Sequence, residues 1–142
     1  MRMASVSDYR EQARKRLPHF LFEYIDGGSV DEITLRSNTR DLQQILLRQR
    51  VLKDVEDINT ETELFGMRYS LPAVLAPVGL AGLNARRGEV QAALAAEGRQ
   101  VPFILSMMSV CDIQEVSEAV SNPLWFQLYM VKDRHFMIDL LT

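Results

Sequence analysis

A chain of 142 residues is long enough for one domain with its own core. With 47% hydrophobic residues, 25% charged residues and a net charge of −3, it gives no reason to expect a nucleic acid partner. Its one cysteine, Cys111, excludes an internal disulfide, lacks partners at zinc spacing and suits a reducing cytoplasm.

The N-terminus is polar, with Asp8, Arg10 and Glu11 where the apolar core of a signal peptide would sit. Ser7 is the expected cap of a first helix running to about Leu17. Pro18 then starts a second helix over residues 19–26, stopped by Gly27-Gly28. Ser29-Val30-Asp31-Glu32 reads as a capping box for a third helix, with Ile33, Leu35 and Leu42 on its apolar face. Residues 63–69 read as a hairpin around Gly66 that plugs or flanks a larger sheet. The longest apolar run, 71–83, is broken by Pro72, Pro77 and two glycines and is too short to span a bilayer. The clusters Arg14-Lys15-Arg16 and Arg86-Arg87, with acids nearby, read as solvated faces or local anion contacts.

From residue 73 strands and helices alternate: strands 73–76, 103–106 and 124–130, helices 88–98, 113–120 and 133–141, with Asp112-Ile113-Gln114-Glu115 offering a capping box for the second of these helices and Asp133 a cap for the third. That alternation predicts α/β architecture with a parallel sheet and right-handed crossovers. Ligands of such sheets sit at the carboxyl ends of the strands. Pro77-Val78-Gly79, Ser106 and Gln127 with Tyr129 all fall there. The two-residue period puts the Gln127 amide and the Tyr129 phenol on one strand face. Taken alone, each reads more readily as a hydrogen-bonded core or rim residue than as a site residue; the three strand ends together reverse that and point to one site. No glycine-rich nucleotide-phosphate loop of the usual kinds is present.

Four ordered motifs carry a resemblance: Phe22-Glu23-Tyr24-Ile25-Asp26-Gly27-Gly28, Leu75-Ala76-Pro77-Val78-Gly79, Pro102-Phe103-Ile104-Leu105-Ser106 and Trp125-Phe126-Gln127-Leu128-Tyr129. Together they resemble the FMN-dependent L-2-hydroxy acid dehydrogenases and oxidases. Arg86-Arg87-Gly88-Glu89-Val90-Gln91-Ala92-Ala93 and Ser109-Val110-Cys111 draw the likeness toward the bacterial respiratory L-lactate dehydrogenase branch. The likeness runs from about Ser7 to Thr142.

The resemblance implies the N-terminal portion of a TIM (β/α)8 barrel: a helical segment (1–44), a connecting hairpin (45–71) and the first three strand–helix units (72–142). It implies FMN as cofactor, contacted by the backbone of Pro77, Val78 and Gly79 and by Ser106 and Gln127. Tyr24 would bind the carboxylate of an L-2-hydroxy acid, and Tyr129 would contact the substrate near its reacting oxygen. Gly79 stands where the family's oxidases tend to carry alanine, which leans toward a dehydrogenase with a quinone or other non-oxygen acceptor. A homo-oligomer in the cytoplasm, peripheral to the inner membrane, is the expected setting. The family's base histidine, substrate arginines and flavin lysine match nothing before Thr142, and His19 and His135 read as surface residues. A barrel takes ~250 residues, so the expectation is an N-terminal piece, inactive alone. The alternatives are a non-catalytic remnant or a fragment that acts only with a complementary chain. A glycolate- or mandelate-type oxidase is the alternative enzyme.

Overall fold

The computed structural model describes residues 3–141. Helices make up the first of its two units, Met1–Asp57. Helix α1, Val6–Arg16, is capped by Ser5 and not by the expected Ser7. Asp8 decides this. Ser5 Oγ accepts from the Asp8 N–H at 3.3 Å, and Asp8 Oδ2 accepts from the Ser5 N–H at 3.0 Å, whereas Arg10 stands three residues after Ser7. Helix α2, His19–Asp26, follows Pro18 and ends where the Gly27 N–H donates to the Glu23 carbonyl at 2.9 Å. Arg10 ties α1 to α2 through two hydrogen bonds to Asp26, at 2.5 and 2.7 Å, and lies 6.0 Å from the Phe22 ring centre. The Arg10 guanidinium holds the Asp26 carboxyl below its ordinary range.

Helix α3, Ile33–Gln43, departs from expectation at its start. The capping box does not form, because Glu32 takes the cap position at φ 56° and its carboxylate accepts the Gly28 N–H at 3.1 Å. The Ser29 carbonyl accepts the Glu32 N–H, so a turn replaces the cap. Ile33, Leu35 and Leu42 are exposed. Between Gln43 and Thr62 the chain forms no helix or strand.

The second unit is Ile58–Thr142. Strands β1, Thr62–Leu64, and β2, Met67–Tyr69, form the expected antiparallel hairpin. Its two turn residues, Phe65 and Gly66, both have positive φ (53° and 76°), the geometry that matches strand twist and the reason glycine stands at 66. Phe65 and Tyr69 meet the Trp125 ring edge-on, at centroid distances of 5.2 and 6.3 Å. Next come α4, Ala81–Asn84, a short turn that sequence reading did not anticipate, and α5, Gly88–Glu97. Strand β3, Ile104–Ser106, leads through Asp112 into α6, Ile113–Glu118. Strand β4, Trp125–Gln127, leads through Asp133 into α7, Arg134–Leu141. Both caps form: Asp112 Oδ1 accepts from the Glu115 N–H at 2.7 Å, and Asp133 Oδ1 accepts from His135 and Phe136 at 2.9 and 3.1 Å; at Asp112 only this half of the expected capping box is made, without the reciprocal bond to the Glu115 side chain.

Strands β3 and β4 are parallel, pairing Ile104 with Trp125, Leu105 with Phe126 and Ser106 with Gln127. The expected strand 73–76 shrinks to a single parallel bridge, Leu75 to Phe103. Pro72 and Pro77 flank it and offer no N–H to a ladder. The expected strand 124–130 is likewise cut to three residues. Its partner β3 ends at Ser106, and among the described residues no strand pairs with residues 128–130. The core lies between this sheet and two helices: Val90 and Ala93 of α5, Leu105 of β3, Cys111, and Val116 of α6. Alanines at 93 and 96 let α5 lie close against the strands.

Candidate functional site

Register puts Ser106 and Gln127 side by side at the carboxyl ends of adjacent strands. Ser106 is 4% exposed, and its hydroxyl accepts the Met108 N–H at 3.1 Å and donates its proton to Gln127 Oε1 at 3.2 Å. The Met107 N–H donates to the Gln127 carbonyl at 3.0 Å, which fixes the turn leaving β3 against the end of β4. With Oε1 occupied, the Gln127 side-chain amide has both its N–H donors unpaired among the described residues.

Residues 76–79 run beside these ends. At one side Leu75 is pinned to β3, accepting the Ile104 N–H at 3.1 Å; at the other the Leu80 N–H donates to the Met108 carbonyl at 2.9 Å. Between the pins, the N–H groups of Val78 and Gly79 have no hydrogen-bond partner among the described residues. At one end the sheet thus presents the two amide N–H donors of Gln127 and two backbone N–H groups, all without a partner among the described residues. This donor set fits the acceptor-rich edge of a flavin ring.

Not every expected residue joins this cluster. Tyr129 lies two residues beyond the end of β4 and is 56% exposed, so the expectation of one strand face shared with Gln127 is corrected. Tyr24 belongs to the first unit, on α2, and is 59% exposed. His19 and His135 are both exposed.

One residue at this end escaped sequence reasoning. Glu89 is 2% exposed, and its Oε1 accepts two backbone N–H groups, from Gly82 at 2.9 Å and Val110 at 3.0 Å. Burial by itself would raise its pKa, but the N–H groups of Val110, Gly82 and Glu89 itself outweigh that and hold the carboxyl below its ordinary value. The Cys111 thiol faces the same carboxylate without reaching hydrogen-bond geometry. Burial first, and then the Glu89 carboxylate, push the thiol up to about 11. The available signal was an acid on the face that α5 buries, one turn before Ala93 and two before Ala96. A separate cleft of about 110 Å³, lined by Tyr69, Ala93, Phe103 and Leu124, lies at the amino end of the strands and includes none of the candidate residues.

Comparison with known proteins supplies the family. The profile of the FMN-dependent dehydrogenases matches residues 13–142. The L-lactate dehydrogenase of Caulobacter sp. (strain K31) is 61% identical over 142 residues, 100% of this chain and 37% of that protein. That of Haemophilus influenzae (strain PittEE) is 57% identical over 141 residues, 99% of this chain and 37% of that protein. Among solved structures, a mandelate oxidase superposes with a TM-score of 0.91 at 33% identity, over 99% of this chain and 40% of the other. A soluble mutant of the membrane-associated (S)-mandelate dehydrogenase from Pseudomonas putida gives 0.85 at 35%, over 92% and 37%. The chain spans little more than a third of the length of these relatives and corresponds to the N-terminal portion of their TIM barrel. On the family profile, the identities and the fold together, the chain belongs to the FMN-dependent dehydrogenase family.

Proposed function

We propose that the complete protein oxidises L-lactate to pyruvate and passes the electrons to a respiratory acceptor such as a quinone. The observation that carries this reading is the cluster at the carboxyl ends: Ser106 bonded to Gln127 beside the free N–H groups of Val78 and Gly79. FMN, when bound, supplies the two-electron acceptor for the substrate. The chain's own residues hold and orient. The Gln127 amide, whose rotamer the Ser106 hydroxyl locks, would donate to the flavin's acceptor-rich edge, and the backbone of Pro77, Val78 and Gly79 would help to hold the ring. Tyr24 donates to the substrate carboxylate and Tyr129 to the oxygen on the reacting carbon. The base that removes the substrate proton is a histidine in the part of the relatives' length beyond this chain.

Lactate is favoured over mandelate because the relatives named for lactate are 56–61% identical and those named for mandelate 32–35%. Glycine at 79 supports an acceptor other than oxygen. Attachment to the cytoplasmic face of the inner membrane and self-association belong to the same reading; among the described residues no helix is long and apolar enough to cross a membrane.

Purified full-length protein should bind FMN and reduce a quinone or dye with L-lactate, faster than with mandelate or glycolate and with little oxygen uptake. Faster turnover of mandelate would move the protein to the other substrate. Tyr129→Phe should lower kcat, whereas Tyr24→Phe should chiefly raise KM. Equal effects on KM alone would undo that division of roles. The 142-residue chain alone should give no lactate-dependent dye reduction, since general base catalysis typically contributes about 10²–10⁴-fold. Fractionation and sedimentation of the full-length protein test the membrane and the oligomer.

A further inference from the structure

Glu89 takes no part in the chemistry above, yet it is the one buried acid among the described residues. We propose that Glu89 is a positioning residue that sets the spacing of the two loops carrying the flavin-facing groups, an inference that rests on the flavin reading of the site.

Its single oxygen Oε1 holds the N–H of Gly82, just after the 76–80 segment, and the N–H of Val110, just after the turn that leaves β3. Two residues along the chain from each clamped N–H, at Leu80 and Met108, a run of hydrogen bonds starts that reaches the site: Leu80 N–H to the Met108 carbonyl, Met108 N–H to Ser106 Oγ, Ser106 Oγ to Gln127 Oε1. The clamp is sterically tight. A Cβ at Gly82 would sit 2.7 Å from Val110 Cβ and 2.9 Å from Glu89 Oε2, so only glycine admits the carboxylate and the second loop together. Leu80 and Arg87, at either side of Gly82, are held at φ 57° and 52°, a conformation that non-glycine residues keep only where their surroundings impose it. Oε2 is buried without an N–H or O–H donor. Well-packed apolar residues commonly match or exceed a desolvated ion in stability, so stability alone does not account for a carboxylate here. What the carboxylate delivers is a fixed distance between two loops that are far apart in sequence.

The test uses the full-length protein and four variants. Glu89→Gln keeps an oxygen able to accept both N–H groups and removes the charge; Glu89→Asp keeps the charge and shortens the reach. Gly82→Ala crowds the clamp. Glu97→Ala, on the same helix but holding a loop at the other end, is the control. FMN affinity from flavin fluorescence and the visible circular dichroism of bound flavin are read well below the melting temperature. Glu89→Asp and Gly82→Ala should weaken FMN about tenfold and alter the dichroism, while Glu89→Gln and Glu97→Ala stay within about twofold of wild type. Folded Glu89→Asp or Gly82→Ala protein with wild-type affinity overturns the proposal. So does Glu89→Gln losing as much as Glu89→Asp, which would make charge and not spacing the cause, or Glu97→Ala losing as much.

Should variants fail to fold, wild-type apoprotein decides by amide exchange. Gly82 and Val110 protected like β3 support the clamp, and free exchange at both overturns it. Absence of FMN binding in the wild type would defeat the flavin reading instead, and would leave the clamp to be judged on exchange.

Discussion

Helix α5 carries two carboxylates that do the same thing at opposite ends of the sheet. Glu89, in its first turn, gathers the N–H groups of Gly82 and Val110. Glu97, its last residue, gathers those of Ser121 and Asn122 at 2.7 and 3.2 Å. The settings differ. Glu89 joins two separate loops, is buried, and sits at the helix end where the backbone dipole favours a negative charge. Glu97 holds two consecutive residues of one loop, is half-buried, and sits at the end where the dipole opposes it. The costlier arrangement lies at the carboxyl ends of the strands, where Ser106 and Gln127 meet. At the amino end a looser version holds the loop that enters β4. The contrast separates a device that holds a site from one that merely closes a turn.

The comparison breaks most easily on stability in the full-length protein. Glu89→Ala strands two clamped N–H groups and should cost about 2–4 kcal/mol in denaturant unfolding. Glu97→Ala, whose N–H groups can turn to water, should cost only about 0.5–1.5 kcal/mol. Equal losses would erase the distinction.

Acid sharpens it further. Because the folded-state pKa of Glu89 lies below its ordinary value of 4.5, its ionic contribution is complete above that value and is lost as pH falls through the folded pKa. The stability gap between wild type and Glu89→Gln should therefore be flat above about pH 5 and change only at lower pH. A gap that varies between pH 6 and 8 would implicate another group.

The smallest effect concerns Cys111, beside the same carboxylate. Its thiol is pushed up to about 11 from 9.0, so its contribution is complete below pH 9 and is lost as pH rises toward about 11. Iodoacetamide at pH 8 should label it only slowly until the protein is unfolded. Rapid labelling of native protein would mean that the Glu89 pocket opens.

Legibility followed locality. The caps at Asp112 and Asp133, the turn at Gly66 and the stop at Gly27 are each set by neighbours a few residues away, and all were readable. Ser5 was missed for Ser7 although Asp8 was in plain sight, because either serine can start a helix and only the reciprocal partner separates them. Strand lengths were overestimated at 73–76 and 124–130, since a strand ends where its neighbour ends, and periodicity within one segment carries no record of that. The pairing of Ser106 with Gln127 depends on register across two strands. Its components were legible as separate strand ends, but the bond between them was not. Glu89 stood inside a recognised motif without a role, because its partners are backbone groups whose positions no residue type announces. The cofactor's identity came from resemblance in four motifs and not from the chemistry of any one of them.

The hairpin's hold on Trp125 has an optical consequence. Trp125 is the chain's one tryptophan, and along β4 it shares a face with Gln127, about 7 Å away at a strand's rise per residue. Its indole is met edge-on by Phe65 and Tyr69 of the hairpin. Emission from this one ring is therefore a built-in gauge of two events. Its wavelength reports whether the hairpin is seated, and its intensity reports whether an absorber of near-ultraviolet light occupies the other end of the same strand.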